Sequence, residues 1–275
     1  MRSLLLSVLF FAVHARASEP ASTASVDFPP TYELFHRLLA DPRQVETSAS
    51  YYRLFGMNLA DVALSDSWGL RRWSLGRDGD TLVQADLEGM AYSAFRLSGS
   101  VNQFETVDFF ANLPVEIRRG RWSARATLYH ESSHLGDDYI RSSGGTGSRY
   151  SLEGLRAATS YDLTPGARVY GGTSYLLHRI PTMGRWGVQS GFELTSTNLH
   201  AAPRDVRLYL AQDFQSKEAL GWNINSNTEA GVRLSDVGMR RAVRVHLDHF
   251  EGHSEFGQFY SRRISMNSLA ISFDY

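Results

Sequence analysis

The 275-residue chain contains no cysteine. That absence removes disulfide scaffolds, cysteine-ligated zinc and iron–sulfur centres, and thiol nucleophiles. Charge of one sign is also lacking. With 28 basic and 29 acidic residues the formal net charge is -1, so there is no electrostatic footprint for nucleic acid, which is not an expected partner. Beyond the extreme N-terminus no run of about 18 apolar residues occurs, and no spanning helix follows. A membrane barrel leaves no such run and stays open as a class. What is present argues against disorder: 12% aromatic residues, 23 glycines and only 21% charged residues.

Met1 and Arg2 form a short positive region ahead of an apolar stretch at residues 4–13. Ala15-Arg16-Ala17 is the small-x-small pattern of signal peptidase, which predicts a signal peptide over residues 1–17 and an exported protein. The alternative, an N-terminal helix anchor, is too short for a bilayer of about 30 Å. Residues 18–46 read as a Ser/Ala/Pro-rich leader followed by a periplasmic lead-in. The stretch 31–46, with Leu38, Leu39, Ala40, Asp41, Pro42 and Arg43, would plug or brace a barrel mouth.

From residue 47 onward, apolar and polar residues alternate with period two. Val107, Phe109, Ala111, Leu113, Val115 and Ile117 oppose Asp108, Asn112, Glu116 and Arg118. Residues 222–234 alternate over 13 positions. That is long for a soluble strand of about five or six residues and normal for one crossing a membrane at a tilt. Short turn signals at 77–80, 118–121, 163–166 and 235–238 alternate with longer links at 56–69, 98–103, 135–148, 180–185, 215–220 and 252–260. This is the pattern of periplasmic turns and extracellular loops. The expected fold is therefore all-β: an outer-membrane antiparallel β-barrel over 47–275, with about twelve strands and both termini periplasmic. The strands at 50–56 and 70–76 are the least regular. The tail from Leu269 to Phe273, Asp274 and Tyr275 resembles the C-terminal signal of bacterial outer-membrane barrels, which implies the barrel assembly machinery as a partner. A secreted soluble β-sandwich or solenoid is the competing class.

The densest set of reactive side chains is Tyr129-His130-Glu131-Ser132-Ser133-His134-Leu135-Gly136-Asp137-Asp138. His130-Glu131-x-x-His134 fits the zinc-protease signature, in which a helix brings two imidazoles to one ion and the Glu acts as base. The upstream sequence Trp122 to Tyr129 alternates, however, and on a strand residues i and i+4 lie roughly 13 Å apart. His130-x-Ser132 reads differently. On a strand these two residues share a face, and parity places His130, Ser132 and His134 on the row of Trp122, Ala124, Ala126 and Leu128, toward lipid. Glu131 and Ser133 point inward. His130 then stands about 25 Å from the turn at Gly120, at the outer membrane–water interface.

His-x-Ser on the outside of such a barrel resembles the outer-membrane phospholipase A and lipid A deacylase families. The resemblance implies Ser132 as nucleophile, His130 as base and a polar residue orienting the His. Those families follow the Ser with Asn, whereas this chain has Ser133. For the orienting group, an ordinary hairpin at Gly120 would set Glu105 near His134 on the lipid face. Asp137 and Asp138 are loop alternatives, or ligands for a calcium ion. The plain alternative is an interfacial strand end meeting headgroups and water.

A wider resemblance covers most of the chain. Leu38-x-Ala40-Asp41-Pro42-Arg43, with His130-x-Ser132-Ser133-His134-Leu135-Gly136-Asp137-Asp138, resembles the bacterial family known as domain of unknown function 1207. It implies the extent of the domain and no reaction. The expected interior row includes Asp86, Glu88, Asp108, Glu116, Arg125, Glu193, Asp213, Glu229 and Arg244, pairing across a packed lumen. His246, Asp248, His249 and His253 are expected as surface or lumen residues. The functional expectation is a Ser/His lipid acyl-ester hydrolase acting on outer-membrane lipid. A non-enzymatic barrel or narrow channel is the first alternative, and a zinc protease the second.

Overall fold

A computed structural model describes residues 28–76, 79–97, 102–200, 202–238 and 241–274. The expected signal peptide at 1–17, most of the leader and the terminal Tyr275 lie outside those residues. Twelve antiparallel strands run in chain order: β1 (Thr47–Leu54), β2 (Met57–Leu75), β3 (Thr81–Arg96), β4 (Gln103–Arg119), β5 (Trp122–Leu135), β6 (Ser151–Thr164), β7 (Ala167–Ile180), β8 (Trp186–Thr195), β9 (Arg204–Lys217), β10 (Ile224–Asp236), β11 (Ala242–His253) and β12 (Arg263–Asp274). Each pairs with its sequence neighbours and β1 closes on β12, so no edge is left unpaired. A short helix, α1 (Asp137–Ser143), lies in the β5–β6 loop.

The alternation sorts residues as parity demands, with apolarity outside. Leu64, Trp68, Leu128, Leu155, Leu208, Leu247 and Leu269 are exposed, whereas Arg72, Gln84, Asp86, Glu88, Asp108, Glu116 and Asp213 are among the most completely buried side chains. A soluble sandwich would do the reverse. This inverted distribution belongs to a barrel whose outer wall meets lipid, and the protein is an outer-membrane β-barrel. Both chain ends of the barrel, Thr47 and Asp274, sit on the rim that carries the turns at 120–121 and 165–166.

One stretch departs from expectation. Of residues 56–69, expected as a loop, 57–69 belong to the 19-residue strand β2, and the first link between strands is a tight turn at Phe55 and Gly56, both with positive φ. The alternation is hidden because a bulge between Gly69 and Arg71 exchanges the two faces. Below the bulge Trp68 faces out; beyond it Arg72 points in and is 0% exposed.

The lead-in at 30–46 fills the lumen. Its backbone is held by inward side chains from around the wall. Glu116 accepts from the Leu34 and Phe35 amides at 2.6 and 3.0 Å, and Glu193 from Leu39 at 2.8 Å. Arg168 donates to the His36 carbonyl at 2.7 Å, and Asn227 to the Ala40 carbonyl at 3.0 Å. Leu34, Phe35, Leu38 and Val45 are 2–3% exposed. Gly69 admits the segment: a Cβ there would stand 2.6 Å from the Pro30 carbonyl oxygen.

Candidate active site on the outer face

β5 carries the His-x-Ser pair because its period-two pattern continues unbroken to Leu135. His130 is exposed, as expected from parity, and Glu131 and Ser133 turn inward. The register sets His130 opposite Glu153 on β6, and Glu153 opposite His178 on β7. His130 Nδ1 lies 2.9 Å from Glu153 Oε1, and His178 Nε2 lies 3.9 Å from Glu153 Oε2. Ser132 stands across the ladder from Ser151, whose hydroxyl donates to Glu153 Oε1 at 3.4 Å. Among the described residues, no hydrogen bond joins Ser132 to His130. The outer face thus holds one carboxylate between two imidazoles, with two hydroxyls alongside.

Glu153 and His178 escape sequence reasoning for a definite reason. A bulge between Glu153 and Gly154, with Leu177 as the extra residue on β7, shifts parity so that His178 faces outward beside Glu153. A cross-strand partner could be found from sequence only with the β5–β6 register, and the intervening 15-residue link at 136–150 conceals it.

Other expected residues go elsewhere. Glu105 does not face lipid beside His134. A bulge between Ala94 and Phe95 turns it into the barrel, where it is 6% exposed and pairs with Arg96 at 2.6 Å. His134 stays outside, its ring 6.2 Å from that of Phe109, away from the Glu153 cluster. The zinc-protease arrangement is not formed. β5 is a strand, so His130 and His134 are roughly 13 Å apart along it, and Glu131 lies on the opposite face.

Asp137 and Asp138 open α1 instead of converging on an ion. Asp138 Oδ2 accepts from the Phe104 amide at 2.9 Å and Oδ1 from Arg141 at 2.6 Å. Those two donors hold its carboxyl below the ordinary aspartate range, the Phe104 amide first. Two carboxylates with Asp138 spent on those donors fall well short of the about six to eight oxygen ligands that calcium takes, so the pair does not make a calcium site.

The inward half of the motif ties the barrel to its plug. Ser133 donates to Asp108 Oδ1, Arg43 reaches Asp108 Oδ2 at 3.2 Å, and the Gly257 amide donates to Oδ2 at 3.0 Å. Gln258 donates to the Ser133 hydroxyl from its amide at 2.9 Å and to the Ser133 carbonyl from its side chain at 2.7 Å. Arg43 and Ser133, from the two motifs that stood out in the sequence, therefore meet on one carboxylate. Gly136 is required at the strand end, where a Cβ would stand 2.1 Å from the Phe104 carbonyl oxygen.

Among solved structures, the barrel is similar to outer membrane phospholipase A from Escherichia coli, at 14% identity and a TM-score of 0.54, covering 85% of this chain and 93% of that one. It is also similar to the Salmonella typhi phospholipase dimer with bound calcium, at 13% identity, TM-score 0.50 and the same coverages. LpxR from Salmonella typhimurium is more distant, at 12% identity and TM-score 0.37, covering 84% of this chain and all of that one. At such identities the likeness is one of fold. No curated protein matches the chain in sequence. The family model described as "Protein of unknown function (DUF1207)" matches residues 13–275, from before the plug to the last strand, and the chain belongs to that family.

Proposed function

We propose that the barrel hydrolyses acyl esters of outer-membrane lipid at the outer leaflet, with Ser132 as nucleophile, His130 as base and Glu153 as the residue that orients the base. The observation that carries this reading is the 2.9 Å contact between His130 Nδ1 and Glu153 on the lipid-facing wall, on the face that also bears Ser132. A carboxylate at Nδ1 fixes the proton there and leaves the Nε2 lone pair free. Ser132 rotates toward Nε2 as substrate arrives, its Oγ attacks the ester carbonyl carbon, and Nε2 takes the hydroxyl proton. The alkoxide leaving group departs with that proton, and water, activated by the same imidazole, releases the fatty acid. Glu153 stabilises the imidazolium formed in each step.

The chemistry as written uses no metal; calcium belongs in the assay as a variable. The rim bearing the short turns and both barrel ends is assigned to the periplasm, and β12 to recognition by the barrel assembly machinery. The test is fatty-acid release from phospholipid and lipid A in mixed micelles, with and without calcium. Activity that disappears in Ser132→Ala and in His130→Ala supports the reading. Absence of release from every lipid, or release unaffected by Ser132→Ala, ends it.

A second reading, a non-enzymatic closed barrel, is favoured by a separate observation. The lumen is filled by residues 30–46, held through buried side chains of β4, β7, β8 and β10. This reading expects no conductance in planar bilayers and no lipid product.

A further inference from the structure

The wall formed by β10, β11 and β12 carries a second cluster, inside the barrel. Inward positions on β10 and β11 bring Glu229, His246 and Asp248 together, with Glu229 opposite Asp248 in the register. One donor atom from each lies within 4.8 Å of the other two. His246 Nδ1 is 2.9 Å from Asp248 Oδ1 and 3.6 Å from Glu229 Oε1. The other ring nitrogen, Nε2, is 2.9 Å from Ser272 Oγ on β12, and Ser268 donates to Asp248 Oδ2 at 2.8 Å. The order Ser272, His246, Asp248 has the connectivity of a hydrolytic triad. Ser272 is 0% exposed, though, and offers no face to an ester.

We propose that Glu229, His246 and Asp248 form a binding site for a divalent transition-metal ion of the zinc type, with His246 ligating through Nδ1 and each carboxylate through one oxygen. Around a tetrahedral ion with bonds of about 2.0–2.2 Å, ligand atoms lie roughly 3.4 Å apart. The present separations of 2.9 and 3.6 Å bracket that spacing, so loading requires shifts of a few tenths of an ångström. Ligation through Nδ1 requires the ring proton on Nε2, and Ser272 Oγ stands where it accepts that proton's hydrogen bond. Such a contact fixes the tautomer of a metal-bound imidazole. One imidazole nitrogen with two carboxylates suits zinc and its neighbours better than calcium, which takes oxygen alone.

Charge points the same way. Four carboxylates, Glu46, Glu229, Asp248 and Asp274, share two guanidiniums: Arg244 contacts Glu46, Glu229 and Asp274, and Arg233 contacts Asp274. The carboxylates outnumber the guanidiniums in contact with them, and a dication offsets that excess. Arg244 and Tyr209 donate to Glu229 Oε1, the oxygen nearest His246, so on loading they share that oxygen with the ion or pass to Oε2. The site is independent of the outer-face chemistry, since it shares no residue with the Ser132 cluster.

The test is metal content. The full-length barrel, purified in detergent and stripped with chelator, is loaded with Zn2+, desalted and analysed by mass spectrometry; Co2+ loading is followed by visible absorption. About one zinc per chain is expected for the wild type, with most of it lost in His246→Gln and Asp248→Asn variants that remain folded by SDS resistance. Ser272→Ala keeps all three ligands and is expected to weaken zinc binding about 10–100-fold. A wild type that retains no zinc overturns the proposal, as does a folded His246→Gln variant that retains as much. Should the His246 variant not fold, an unchanged zinc isotherm for Ser272→Ala overturns it.

Discussion

Ser132 and Ser133 are adjacent in the chain and face different surroundings, the outer wall for the first and a buried carboxylate for the second. Their alanine variants should therefore fail in different ways. Ser132→Ala is expected to abolish fatty-acid release while leaving thermal unfolding unchanged. Ser133→Ala removes a donor from Asp108, which is 0% exposed, and should cost about 1–3 kcal/mol of stability, read as a lower unfolding midpoint. Arg43→Ala should cost more, about 3–5 kcal/mol, because it strips the cation from the same buried carboxylate. Glu153→Gln retains the shape of the group that orients His130 but not its charge. The expected result is a fall in kcat of up to about 10^4-fold at unchanged stability. Lys217 is the only lysine among the 28 basic residues, and this fits a lumen that demands forked, permanently charged donors. Asp138 gives a pH prediction. Its carboxyl is held below the ordinary range, so its contribution to docking α1 is fully present above the unfolded value of 3.8 and is lost only as pH falls through the lower folded value. Hydrogen exchange across 136–150 should therefore stay slow down to below that value in the wild type, and be faster at neutral pH in Asp138→Ala.

At the scale of elements, the strands were legible wherever the alternation ran unbroken. The turns expected at 77–80, 118–121, 163–166 and 235–238 fall between successive strands to within a few residues, whereas β2 was concealed by its bulge at Gly69. Bulges were equally decisive for the site. One turned Glu105 inward and another turned His178 outward, because an extra residue exchanges the faces of everything beyond it. The lead-in was legible as a plug from position and composition, but its partners were not, since the wall residues bonded to it are 40 or more positions away. Deleting residues 28–46 should leave a barrel that folds with reduced stability and conducts in planar bilayers, while the intact chain does not. Gly69→Leu should loosen the lead-in without deleting it, seen as faster proteolysis there, because its side chain occupies the place of Pro30.

The whole molecule is organised by its two solvents. Leu113, Leu128 and Leu155 form a row across β4, β5 and β6 on the outer wall, each 45–50% exposed. In water such a row would be an aggregation surface; in a bilayer it is the required lining. Leu155→Arg should therefore destabilise the folded barrel in lipid vesicles by about 2–4 kcal/mol, measured by reversible denaturant unfolding. An arginine there that costs nothing would contradict the assigned lipid face. Away from the bulges, the amino-acid order by itself determined which residues face lipid and which face the lumen, and hence the barrel, its membrane and the outward placement of His130 and Ser132. It could do so because parity is a local property of the chain. Only the tertiary structure decided that Glu153 stands behind His130, that Arg43 and Ser133 share Asp108, and that Glu229, His246 and Asp248 converge. Those pairings depend on register, bulges and closure of β1 on β12, which are set between strands and leave no trace within any one of them.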